Sequence, residues 1–143
     1  MTYPDPTVAA AVSERFVPLR LDLFRDRDVV RPLNVIWTPT LLFADRRGTV
    51  HYRSLNFLPP ADFLDLLDIG EANVRLRWGE HDRAITLLTA VTDRNPDAPL
   101  APEAIYQRGI ATYLKTHSNQ ELYSVWQDLL DRFPDSIWSR RIP

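Results

Sequence analysis

The run Val35-Ile36-Trp37-Thr38-Pro39-Thr40-Leu41-Leu42-Phe43-Ala44-Asp45 constrains this chain more than any other stretch. Proline has no N–H for a central ladder, so Pro39 belongs where a strand begins, and Leu41, Leu42 and Phe43 then read as a short buried strand. Asp45-Arg46-Arg47-Gly48 supplies a polar turn with one glycine able to take positive φ, and Val50-His51-Tyr52-Arg53-Ser54-Leu55 answers as a second strand. Together they predict one antiparallel hairpin.

Residues 35 to 57, on Trp37-Thr38-Pro39-Thr40 and the hairpin that follows, resemble the second half of a thioredoxin fold. In that family an Ile/Val-x-x-x-Pro-Thr entry leads to a buried strand, a charged turn and a final strand before the last helix. The resemblance covers roughly Tyr3 to Ile69. It implies that Pro39 follows a cis peptide bond and that Thr38 is the residue whose backbone pairs with an extended substrate. Trp37, beside that turn, is expected to be partly exposed and useful for binding. The family's proline lies beside a Cys-x-x-Cys pair, and here the chain departs from it: there is no cysteine at all.

Upstream, Asp5 is placed to cap a helix with Pro6 at its first position, running from about Thr7 to Arg15. Val17, Leu19, Leu21 and Leu23 then alternate, which predicts a strand over Phe16–Leu23, with Pro18 marking an edge or a missing ladder partner. Phe24 to Asn34 is charged and reads as a short helix or loop broken near Pro32. After the hairpin, Pro59-Pro60 launches a helix whose buried face is Phe63, Leu64, Leu66 and Leu67. Asp62, Asp65 and Asp68 are assigned to water or to the helix N-terminus, and Gly70 to its cap.

Beyond Gly70 the strands vanish and helical segments alternate with short polar breaks. Trp78-Gly79, Ala84-Ile85, Leu88, Val91 and Pro96 resemble a tetratricopeptide motif, with Ala104, Tyr106, Gly109, Tyr113, Leu122, Trp126, Leu129 and Pro134 as a second copy. Pro134-Asp135-Ser136-Ile137-Trp138 resembles the start of a further unit. Trp78, Trp126 and Trp138 fall at repeat landmarks and are expected in the core. So few units seldom stand alone, because each buries its apolar face only against a neighbour. The expected fold class is therefore α/β: a partial thioredoxin-like sheet with helices over residues 1–69, and an all-α tetratricopeptide-like extension over residues 70–143 packed on it.

The chemistry-bearing residue types give no catalytic pattern. His51, His81 and His117 lack ligand spacing, so no metal is expected. Ser136 and Ser139 lack a nucleophile context. Asp65/Asp68 and Asp128/Asp131 are helical pairs of a kind that solvated faces carry, and the scattered glycines form no phosphate loop. Seventeen basic against 19 acidic residues, mixed along the chain, leave no footprint for nucleic acid. No apolar stretch suits a membrane span or a leader, so a cytoplasmic protein without cofactor is expected.

The sequence thus points to a thioredoxin-like protein that is redox-inactive as given and binds protein or peptide through Trp37, Thr38 and Pro39 together with the helical tail. The alternative is a thiol-disulfide oxidoreductase whose Cys-x-x-Cys lies upstream of Met1. In the thioredoxin fold a strand leading into the cysteine-bearing helix lies between the strands that Phe16–Leu23 and Thr40–Ala44 resemble. Its absence implies an open sheet prone to self-association.

Overall fold

A computed structural model describes residues 5–55 and 57–143. The chain is mixed α/β and divides into two compact units, Met1–Leu64 and Asp65–Pro143.

In the first unit, α1 spans Pro6–Arg15 and starts where its capping chemistry requires. Asp5 stays extended while its Oδ1 accepts from the Thr7 and Val8 amides at 2.9 and 3.1 Å, and Pro6 fills the first position, where no donor is needed. The helix ends at Phe16, which turns extended (φ −132°, ψ 160°).

The strand expected over Phe16–Leu23 does not form. Among the described residues, no hydrogen bond reaches the backbone of Val17 to Leu21. Val17 and Leu19 are 96% and 76% exposed. Alternation specifies which side chains share a face, but a strand also needs a ladder partner. None is paired here, and Pro18 withholds one donor in any case. The segment closes at Asp22, whose Oδ1 accepts from the amides of Phe24 and Arg25. A one-turn helix α2 (Arg27–Val30) and a 3-10 turn (Arg31–Leu33) follow, and the turn ends on Asn34 in the left-handed region (φ 51°). The expected break near Pro32 therefore takes the form of a change of helix type.

The hairpin forms as expected. β1 (Thr40–Ala44) pairs antiparallel with β2 (Val50–Leu55), Leu42 facing Arg53 and Phe43 facing Tyr52. Gly48 takes φ +80° in the turn, and its amide donates to the Asp45 carbonyl at 2.9 Å. Among the described residues these two strands make the whole sheet. The expectation of a buried strand holds only for Phe43; Leu41 and Leu42 are half-buried, because a two-stranded sheet leaves edges and faces uncovered. The Phe43 ring meets Phe16 edge-on at 5.7 Å and Tyr52 at 5.9 Å.

α3 (Pro60–Arg77) begins on the second of the two prolines but does not stop at Gly70, which is buried within it. The apolar pattern continues through Ala72, and the cap comes at Gly79 (φ +75°). There the Glu80 amide donates to the Arg75 carbonyl and the Gly79 amide to the Leu76 carbonyl, the paired bonds of a Schellman ending.

The second unit continues with α4 (His81–Arg94), α5 (Ala101–Thr116) and α6 (Asn119–Arg132). Ala84, Leu87, Leu88 and Val91 place the buried stripe of α4 at helical spacing, and α5 packs against both α4 and α6. Ser118 caps α6 through its hydroxyl, which accepts from the Glu121 amide. In place of a further helix, the chain after Pro134 makes a 3-10 turn, Ser139–Arg141. Ser139 is buried there, its hydroxyl donating to the Phe133 carbonyl at 2.6 Å, so its environment is that of a turn closure.

Candidate functional site

The Trp37-Thr38-Pro39 stretch lies between two fixed points. On one side, the Arg53 guanidinium of β2 donates to the Leu33 and Asn34 carbonyls at 2.5 and 2.8 Å and ties the preceding turn to the sheet. On the other, the Thr40 hydroxyl donates to the Trp37 carbonyl at 2.6 Å and closes the bend at the head of β1. The Thr38–Pro39 bond is cis, as the resemblance implied. Side chains between these points turn outward: Ile36 is 90% and Trp37 66% exposed, and Thr38 and Pro39 are exposed. Among the described residues neither the amide nor the carbonyl of Thr38 has a hydrogen-bond partner. A large aromatic face and a free peptide group therefore sit side by side on an anchored support.

At the far end of β1 a second arrangement escaped the sequence reading. The register slips between Phe43 and Ala44, so that Val50 and His51 together oppose Ala44. This bulge re-aims His51 towards the turn, where its Nε2 lies 2.9 Å from Asp45 Oδ2. Asp45 Oδ1 also accepts from the Arg47 and Thr49 amides at 2.8 and 3.1 Å. The His51 hydrogen bond, supported by these amides, pulls the Asp45 carboxyl down to about 2. The pair was legible once the hairpin was assigned, since positions 45 and 51 both flank its turn.

In the second unit, the acids of α3 contradict their assignment to solvent. Asp65 and Asp68 are 2% and 3% exposed and share one cation, Arg94 of α4. The Asp68 contact is 2.5 Å. Burial opposes the charge on Arg94, but Asp68 and then Asp65 outweigh it, and the guanidinium pKa is raised. One turn on, Glu71 is buried too and pairs with Arg75 at 3.1 Å and Arg83 at 3.7 Å. Asn73 then donates to Gln107, which donates to Glu103. These groups satisfy one another across α3, α4 and α5, as buried polar groups must.

The tryptophans divide. Trp126 is buried and stacks on Tyr106 at 5.2 Å, and Trp138 leans on the same Tyr106 at 5.4 Å. Trp78, expected in the core, is 45% exposed, because α3 ends beneath it at the Gly79 cap; the Arg75 guanidinium lies 6.0 Å from its ring. Among the described residues no group of three or more His, Asp or Glu side chains comes together to hold a metal ion, and no helix is long and apolar enough to cross a membrane. No protein-family model, no curated protein and no solved structure matches the chain.

Proposed function

We propose that this chain is a thioredoxin-like binding protein that engages protein or peptide through Trp37, Thr38 and Pro39, with the tetratricopeptide-like helices of residues 70–143 as a second binding element. The observation that carries this reading is the pairing of a 66% exposed Trp37 with an unbonded Thr38 peptide group, in a stretch flanked by the Arg53 bonds to the Leu33 and Asn34 carbonyls and by the Thr40 bond to the Trp37 carbonyl. Aromatic anchors on a rigid support are the usual centres of protein-binding surfaces, and a free peptide group can extend a strand-like contact to a partner backbone. Chemistry by dithiol exchange is left out, because its nucleophile is a thiolate and this chain has no cysteine.

The test is selection of extended peptides from a random display library on the immobilised full chain, followed by affinity measurement with Trp37→Ala. Truncating an aromatic anchor costs about 2 kcal/mol or more, roughly thirty-fold in affinity. Selected peptides that bind Trp37→Ala as tightly as the parent would overturn the reading. The purified chain is also expected to reduce a disulfide substrate no faster than the dithiothreitol background.

A further inference from the structure

Beyond α6, residues 134–143 return to α5 through an aromatic contact. The Trp138 ring leans on Tyr106 at 5.4 Å and 44°, while the same tyrosine stacks on Trp126 at 5.2 Å and 11°. The Arg141 guanidinium lies 4.3 Å from the Trp138 ring, so the segment presents an indole backed by its own cation.

The rest of the segment is closed on itself. The Ser136 amide donates to the Phe133 carbonyl, the Ser139 amide to Ser136 Oγ, and the Arg140 guanidinium to the Asp135 carbonyl. The amides of Arg140, Arg141 and Ile142 return to the carbonyls of Ser136, Trp138 and Ser139. Among the described residues, no hydrogen bond or ion pair of residues 134–143 ends on α3, α4, α5 or α6. The two indoles on Tyr106 therefore differ in kind. Trp126 is buried and its Nε1–H donates to the Tyr106 carbonyl, whereas Trp138 is half-buried and is followed by exposed Arg140 and Arg141. Lifting residues 134–143 away separates rings and breaks no hydrogen bond to the helices.

From this we infer that residues 134–143 are a displaceable strap: Trp138 occupies in cis a docking point at Tyr106 that accepts a short segment carrying an indole followed by arginines. The strap keeps that part of the helical binding element closed. The inference rests on the reading of residues 70–143 as a binding element and is independent of Trp37. A ligand tethered directly to α6 acts at an effective concentration on the order of millimolar, so a contact of roughly 0.1 mM intrinsic affinity holds the strap about nine-tenths closed and still yields to a competitor.

The test uses a fluorescein-labelled synthetic peptide of residues 134–143, titrated with the full chain and followed by anisotropy. Full-chain Trp138→Ala, whose own strap has lost its grip, is expected to keep the helical circular dichroism of the parent and to bind the peptide saturably. The parent should bind it about ten-fold more weakly, because the tethered Trp138 competes. A peptide carrying Trp138→Ala should bind neither. Absence of saturable binding to folded Trp138→Ala, equal affinity for variant and parent, or undiminished binding of the substituted peptide overturns the inference. So does a Trp138→Ala chain that no longer folds, since Trp138 then belongs to the core and not to a strap. Trp37→Ala should leave these affinities unchanged. Loss of strap-peptide binding beside intact Trp37-dependent binding of selected peptides removes the strap alone, and the reverse result removes the Trp37 site alone.

Discussion

Gly109 of α5 lies directly beneath the indole of Trp126 on α6: a Cβ on Gly109 would come 2.5 Å from Trp126 Nε1 and 2.6 Å from Cδ1. The indole cannot simply swing aside. Its Nε1–H donates to the Tyr106 carbonyl at 3.0 Å, and its ring stacks on Tyr106. Alanine gains about 1 kcal/mol over glycine in an isolated helix, but overpacking costs about 1–3 kcal/mol. Gly109→Ala is expected to lose about 1 kcal/mol net, and Gly109→Val more, in urea unfolding followed by tryptophan fluorescence. Unchanged midpoints would show that α5 and α6 do not cross here as described.

Arg94→Met tests the polar layer of α3 and α4. Removing one partner of a buried ion pair typically costs 3–5 kcal/mol; the Arg94 side chain is 37% exposed, so solvent screening reduces the expected loss to about 2 kcal/mol. Urea unfolding of the variant beside the parent measures the loss, and an unchanged midpoint would contradict the account.

The hairpin turn makes an acid-side prediction. Asp45 is held at about 2, chiefly by the His51 hydrogen bond. A depressed carboxyl stabilises the fold fully above its unfolded value, about 3.9, and that contribution disappears as pH falls from there through about 2. Carboxyl NMR should place the Asp45 midpoint near 2 in the parent and higher in His51→Ala. Equal midpoints in the two proteins would remove His51 as the cause.

The sequence carried the local signals and missed the long-range ones. Asp5-Pro6 marked the start of α1, and Gly48 marked the hairpin turn, because capping and positive φ are decided by a few adjacent residues. Val17 to Leu23 has strand alternation yet no strand, since alternation cannot supply a ladder partner. Asp65 and Asp68 looked solvated because their cation, Arg94, is 29 and 26 residues away. Gly70 looked like a cap because glycine commonly ends helices and acids flank it, but those acids, Asp68 and Glu71, are themselves buried and the helix runs on to Arg77. Of the proposed binding stretch, the exposure of Trp37 follows from its place beside the Thr-Pro bend; the Arg53 tie to the Leu33 and Asn34 carbonyls just before it does not, for the same reason of distance.

The most direct measurement of the central claim is a 1H–15N titration of the labelled full chain with a selected extended peptide. The account predicts that the largest shifts fall on the Trp37 indole N–H, the Thr38 amide and the amides of β1, and that Trp37→Ala abolishes them. Saturable binding whose shifts lie wholly outside Ile36 to Ala44, with the Trp37 indole unmoved, would contradict it.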